Sequence, residues 1–246
     1  MRGPRWLGRR YLFSLAGLRV SSFAVMLYIG FVSGTAAGAT ITDGAGVSVT
    51  RFGVAAGVLL VPALAGARLW CALPRRARIG PGQNADTGLY GGLIASLVAS
   101  PFVLAAVGLD FWRFWDGAAV ILLVGMAVTR FGCLMSSCCA GRETQGFLGI
   151  WLPDHVGRWR RRYPTQLLEA AWSAAILVAE LCVFSAPVPV AGGLFLSAAA
   201  AYGAGRTGLE MLREDASTRA IHTRMNLGFS AILVLTAAII LAVRWP

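Results

Sequence analysis

Seven apolar runs dominate this chain, at about 20–41, 52–73, 88–108, 117–136, 165–186, 190–212 and 226–244. Each is near the roughly 20 residues that a helix needs to cross the hydrocarbon core of a bilayer. Breaks separate them, among them Pro74-Arg75-Arg76, Asp110 to Asp116, Arg158 to Arg162, and Arg213-Glu214-Asp215. Backbone polar groups cannot stay unpaired in lipid, and a helix pairs them within itself. The chain therefore reads as all-α and polytopic, with seven transmembrane helices in a single integral-membrane domain over residues 1–246. The longest stretch outside the runs, about 137–164, is polar and rich in Trp and Arg. It reads as a small extramembrane cap between spans four and five.

Charge composition agrees. Only 13% of residues are charged, against about 25% in soluble domains. Lys and Arg together number 22 against 11 Asp and Glu, for a net charge of +11, and every basic residue is arginine. Arginine stays protonated and holds phosphate bidentately, which points to anionic lipid headgroups. The arginines are divided among loops and spans, which argues against a nucleic-acid partner.

With seven spans, the arginines crowd one side: the N-terminus, the 2–3 loop, the cap and the 6–7 loop. The other side has Arg51, Arg113 and Arg244. The positive-inside rule puts the rich side in the cytoplasm. Arg9-Arg10 before an apolar stretch, with Ala36 to Ala39 after it, is reminiscent of an export signal. That stretch is long for one, and further spans follow, so it reads as the first membrane helix. Gly30, Gly34 and Gly38, and Gly53 with Gly57, are spaced four apart, which lets helices approach closely.

Against this background the polar residues inside the runs carry the functional information. An ionised side chain near the bilayer centre costs roughly 2.5–3.5 kcal/mol on insertion scales, so several together mark a polar site within the bundle. Tyr202, Arg206, Glu210 and Arg213 are spaced i, i+4, i+8, i+11 and share one helix face. The plain alternative is Arg–Glu pairing at a snorkelling helix end. Arg130 and Cys133 share a face at the end of the fourth run, followed by Cys138-Cys139 and Gly141-Arg142. Pro164 suits the first turn of the fifth helix, and Gln166 and Glu169 face together behind it. Glu180, deeper in that run, either meets an arginine or is protonated. Tyr90 precedes Gly91-Gly92, which permits close backbone approach. Arg68 ends the second run, to snorkel or to hold a headgroup.

Five cysteines (71, 133, 138, 139 and 182) accompany only His155 and His222. No standard zinc spacing appears, and neither metal nor cofactor is expected. Cys138 and Cys139 read as redox-active, as soft-metal ligands, or simply as buried thiols behind a loop turned by Gly141. Gly203-x-Gly205-x-x-Gly208 matches a dinucleotide fingerprint but lies in a helical run with no strand before it.

Four segments, in order and with matching spacing over roughly 20–215, resemble the prolipoprotein diacylglyceryl transferase family. They are Gly91-Gly92-Leu93-Ile94; Arg130-Phe131-Gly132 with Gly141-Arg142; Pro164-Thr165-Gln166-Leu167-x-Glu169; and Tyr202-Gly203-x-x-Arg206-x-x-x-Glu210-x-x-Arg213-Glu214. The resemblance implies a multi-pass enzyme of the bacterial plasma (inner) membrane with seven spans. It implies transfer of diacylglyceryl from phosphatidylglycerol to the lipobox cysteine of an exported prolipoprotein, recognised with its signal peptide. It also implies a cap on the export side, against the positive-inside rule. Arg130 and Arg206 would then clamp the phosphate, with Tyr90 and Tyr202 completing the catalytic set. Arg68, Gly91, Gly92, Cys133, Gly141, Arg142, Gln166, Glu169, Glu210 and Arg213 would bind the substrate, Glu210 by orienting Arg206.

The chain departs from the family pattern at several positions. The histidine before the glycine pair is Tyr90, and the asparagine after Arg-x-Gly is Cys133. The acidic residue of the next loop is Cys138, the histidine before Pro164 is Tyr163, and the early tyrosine of the first span is Phe23. Tyrosine, with a pKa of about 10, is a poor base. Two rivals follow: a non-catalytic or altered-substrate phospholipid-binding paralogue, and a membrane thiol-redox protein using Cys133, Cys138 and Cys139.

Overall fold

A computed structural model of the chain describes residues 7–8, 11–15, 18–72, 85–154, 157–184, 190–213 and 220–244. The Arg9-Arg10 pair, the Pro74 to Arg76 break, His155 and Glu214-Asp215 lie outside the described residues, as do the side chains of Cys71 and His222. Seven helices among the described residues follow the order of the seven runs: α1 (Ser22–Asp43), α2 (Val49–Ala72), α3 (Ala85–Val107), α4 (Phe111–Met135), α5 (Thr165–Val183), α6 (Gly193–Glu210) and α7 (Ala220–Arg244). All but α6 are long and apolar enough to cross a membrane. The 18-residue α6 carries Arg206 and Glu210 in its last two turns. The protein is an all-α polytopic membrane protein. Among the described residues the strands form two hairpins, β1 (Tyr11–Leu15) with β2 (Leu18–Ser21), and β3 (Ile150–Pro153) with β4 (Trp159–Arg162).

The fourth helix starts earlier than the apolar run that announces it. The stretch Asp110 to Asp116 reads as a charged turn, and the run as beginning at 117. In the structure Asp110 is the N-cap, accepting a hydrogen bond from the Arg113 amide at 2.9 Å. Such a cap satisfies an orphan donor of the first turn. Asp116 is 1% exposed and accepts from the amides of Gly192 at 2.8 Å and Phe195 at 3.1 Å. It therefore ties α4 to the start of α6. Aromatic rings fill the space around it, with Phe52 against Phe114 and Trp115 against Phe195.

Small residues set the packing of α1. A Cβ at Gly34 would sit 2.9 Å from the Ile121 Cα, and one at Gly38 2.5 Å from the Gly117 carbonyl oxygen. The backbones of α1 and α4 thus touch where a side chain would hold them apart. The second glycine pair behaves differently: Gly53 and Gly57 face open space. Instead Gly66 of α2 and Gly91 of α3 approach each other so closely that a Cβ on either would meet the other's carbonyl oxygen.

The expected cap is the β3–β4 hairpin with the loops around it. Its arginines serve the cap itself. Arg162, 2% exposed, pairs with Glu143 at 3.2 Å and Asp154 at 3.9 Å; Arg160 meets Glu143 at 2.7 Å and Arg158 meets Asp154 at 3.0 Å. A bridge between Gly141 and Arg213 ties the cap to the end of α6. The N-terminal hairpin before α1 was not expected. It has no long alternating pattern, only the short run from Tyr11 to Ser21.

Candidate active site

The chain turns from the cap into α5 at Pro164, and the first turns of that helix carry Thr165, Gln166 and Glu169 inward. Glu169 is the centre of the site. Arg206 Nη1 lies 2.7 Å from its Oε1 and Arg213 Nη1 lies 3.5 Å from the same oxygen, while Arg130 Nη2 contacts Oε2. The three arginines come from α6, from just beyond it, and from α4. Arg206 Nη2 also lies 2.6 Å from Glu210 Oε2, and Asn226 Nδ2 donates to Glu210 Oε1 at 3.4 Å. All five charged side chains are 6% exposed or less. Three guanidinium groups gathered on one carboxylate give the cluster the donors that suit a phosphate or carboxylate ligand.

An apolar cleft of about 540 Å³ leads away from Arg130. Residues of α1, α2, α3 and α4 line it, among them Phe23, Leu27, Leu60, Leu93 and Ile121, and Arg68, Arg130 and Cys133 are its charged and thiol-bearing lining. Along α2 the lining runs from Ala56 to Arg68, about 18 Å at 1.5 Å per residue. That is close to half of the roughly 30 Å hydrocarbon core, the depth of one leaflet. The cleft is open, since Phe23, Leu27 and Leu60 remain half-buried and Leu64 is exposed.

Tyr90 lies on the inner side of α3. Its hydroxyl pairs with Ser230 Oγ at 2.6 Å and its ring stacks on Phe229. With Tyr202 it lines a small adjoining cavity of about 50 Å³. The Tyr202 hydroxyl is buried and has no hydrogen-bond partner among the described residues.

The other residues singled out in the sequence fall in distinct places. Gly92 lines the cleft, whereas Gly91 packs against Gly66 and Trp70 between α2 and α3. Arg68 is exposed on the cleft wall. Arg142 is exposed and its guanidinium stands 5.6 Å from the centre of the Tyr163 ring. Gly141 sits against the Tyr163 backbone, where no Cβ would fit. Gln166 Nε2 donates to the Cys138 carbonyl at 2.7 Å, and its Oε1 is buried without a hydrogen-bond partner among the described residues. Glu180 accepts from Ser197 Oγ at 2.8 Å. Gly203 packs on Ser230 and Val234 of α7, and Gly205 on the Trp172 ring, so the dinucleotide-like spacing serves helix contact.

Asn226 and Ser230 escaped the sequence reading. Their one signal was a polar pair at i, i+4 inside the last apolar run. The three cysteines singled out in the sequence do converge: the sulfurs of Cys133, Cys138 and Cys139 lie within 4.8 Å of one another. Contact with the Cys133 sulfur, together with burial, pushes the Cys139 thiol well above the ordinary thiol range.

The family model described as prolipoprotein diacylglyceryl transferase matches residues 10–243. The chain belongs to the prolipoprotein diacylglyceryl transferase family. A relative from Bacillus licheniformis named phosphatidylglycerol–prolipoprotein diacylglyceryl transferase is 31% identical over 170 residues, which cover 65% of this chain and 62% of the relative. Proteins of the same name from Bacillus velezensis and Shouchella clausii are 28% identical over 165 residues and 33% identical over 136 residues. Those matches cover 63% and 52% of this chain, and 60% and 48% of the relatives. The chain thus spans less than two thirds of each of these relatives. In this chain Arg130, Arg206 and Arg213 meet at Glu169, and Gly91 and Gly92 lie at the α2–α3 contact.

Proposed function

We propose that this protein transfers the diacylglyceryl group of phosphatidylglycerol to the lipobox cysteine of an exported prolipoprotein, at the bacterial plasma membrane. The observation that carries the reading is the gathering of Arg130, Arg206 and Arg213 on Glu169 beside an apolar cleft one leaflet deep. The acyl chains occupy the cleft, and the phosphodiester lies against Arg130 and Arg206. A bond forms between the substrate sulfur and the terminal glyceryl carbon of the diacylglyceryl group. The bond from that carbon to the phosphate oxygen breaks, and glycerol phosphate leaves with the electron pair. The thiol proton passes to solvent. Charge grows on the leaving phosphate, and fixed donors aimed at growing charge are the strongest contribution a site can make. Glu210 holds Arg206 in place, and Tyr90 and Tyr202 border the reacting region. The cap faces the export side, where the substrate thiol emerges. An impermeant thiol reagent added to intact cells should label a cysteine introduced at Gln145; labelling only after lysis would reverse that orientation.

The test uses the purified chain in phosphatidylglycerol-containing membranes with a lipobox peptide, read by mass spectrometry. We expect a diacylglyceryl adduct on the peptide cysteine. Replacement of one oxyanion donor typically costs about 10²–10³ in rate, and Arg206→Ala should fall at least that far. Absence of the adduct from folded, lipid-stabilised protein would overturn the reading in favour of a binding paralogue.

A further inference from the structure

We propose that Cys133, Cys138 and Cys139 form a three-thiolate site for a zinc-class divalent cation, with a fourth position open to the substrate thiol. The site requires three sulfurs to converge, and they do, all within 4.8 Å of one another. Tetrahedral zinc at about 2.3 Å from each sulfur needs separations of about 3.8 Å, which small rotations of these side chains reach. Among the described residues no histidine or carboxylate joins the group, so the fourth position is left to an incoming ligand.

The loop that gathers the sulfurs is built for the purpose. Cys133 ends α4 on its last turn. The chain then reverses through Ser137 at φ 53° and Cys139 at φ 59°, the two non-glycine residues with positive φ among the described residues. That conformation is unfavourable for residues other than glycine, and such strain persists only where the surroundings over-determine it. Here they do. The Cys138 amide donates to the Cys133 carbonyl at 3.1 Å. Thr165 Oγ1 donates to the Cys139 carbonyl at 2.8 Å, and Gln166 Nε2 to that of Cys138 at 2.7 Å. Two side chains at the head of α5 thus fix the backbone behind two of the three sulfurs, as outer-shell groups do around metal ligands.

Charge and placement agree as well. Three thiolates on a divalent cation carry one net negative charge, and Arg130 lies in electrostatic range of the Cys133 and Cys139 sulfurs. Cys133 lines the same cleft as Arg130, so the cation would border the space assigned to the phosphodiester. A thiol that coordinates such a cation is deprotonated outright. The incoming cysteine would release its proton to solvent on binding and remain as a bound thiolate. That sulfur then attacks the glyceryl carbon while the carbon–oxygen bond to phosphate breaks, and the cation stays divalent throughout. This supplies the activation that Tyr90, hydrogen-bonded to Ser230, is poorly suited to provide. The role rests on the transferase reading; the site itself does not.

The test separates the two. Purified, reduced full-length protein in phosphatidylglycerol micelles is titrated with Co²⁺ and then Zn²⁺. We expect one equivalent of Co²⁺ with a sulfur-to-cobalt charge-transfer band and tetrahedral visible bands, both lost on displacement by Zn²⁺. Cys138→Ser, at the least buried of the three positions, should abolish the charge-transfer band while retaining stabilisation by phosphatidylglycerol. A lipobox peptide should strengthen the band, and a peptide with serine in place of cysteine should not. Several results would overturn the site: no Co²⁺ binding by reduced, lipid-stabilised protein, a spectrum indifferent to Cys138→Ser, or a disulfide among the three whose reduction restores no metal binding. A band indifferent to the cysteine peptide, or full transfer after complete chelation, would overturn its role. A peptide-sensitive spectrum without any diacylglyceryl adduct would instead defeat the transferase reading and leave the metal site standing.

Discussion

Glu169 holds together three guanidinium groups that would otherwise repel one another, and Glu169→Gln tests that arrangement without changing its shape. The substitution removes the counter-charge of Arg206 at 2.7 Å, of Arg213 at 3.5 Å and of Arg130 in direct contact. Removing one partner from a buried ion pair typically costs about 3–5 kcal/mol. For a chain of this size each kcal/mol lowers the melting temperature by about 2–4 °C, so the loss should be roughly 6–20 °C in micelles of a zwitterionic lipid. Phosphatidylglycerol should then behave in an unusual way. Its phosphodiester can take the place of the missing carboxylate, so the variant should bind it more tightly than the wild type. A tenfold gain is 1.4 kcal/mol, which adds roughly 3–6 °C to the lipid-induced shift. The assay is thermal unfolding of both proteins across a series of phosphatidylglycerol fractions. If Glu169→Gln melts with the wild type, or gains no more than the wild type from phosphatidylglycerol, the cluster is not held by Glu169 as an anion site.

Two further predictions concern packing and Tyr90. Gly38→Ala places a Cβ against the Gly117 backbone, which cannot yield as a side chain can, so thermal unfolding should show a loss of about 1–3 kcal/mol. Gly57→Ala, facing open space, should stay within about 0.5 kcal/mol of the wild type. Tyr90→Phe loses one hydrogen bond, to Ser230, worth about 0.5–1.5 kcal/mol. Transfer by this variant should fall by about tenfold or less, with the wild-type pH profile; a collapse of several orders of magnitude would make Tyr90 a proton carrier after all.

Length and hydropathy made the helices legible, because a span must be apolar over its whole length and little else in a protein is. The start of α4 was misread for the same reason that it is informative. Asp116 looks like a loop residue until the amides of Gly192 and Phe195 appear beside it, and that contact lies 76 residues away in sequence. The arginine and carboxylate faces were readable from helical spacing within α5 and α6. What joins them, the convergence of Arg130, Arg206 and Arg213 on one oxygen pair, depends on how α4, α5 and α6 pack and has no local signal. Arg142 illustrates the converse: it sits in a matching motif, yet its side chain lies over Tyr163. The three cysteines were legible as neighbours in sequence, but the convergence of their sulfurs within 4.8 Å depends on a turn through two left-handed, non-glycine residues, Ser137 and Cys139.

The open flank of the cleft between α1 and α2 bears on how such a protein would be supplied. A lipid can slide into it from the surrounding leaflet without lifting its tails into water, so the search is two-dimensional. The quantity that governs occupancy is then the mole fraction of the lipid within the sheet, and bulk lipid concentration drops out once every protein is embedded. Diluting the membrane with inert lipid would slow supply, whereas adding more vesicles of the same composition would leave it untouched.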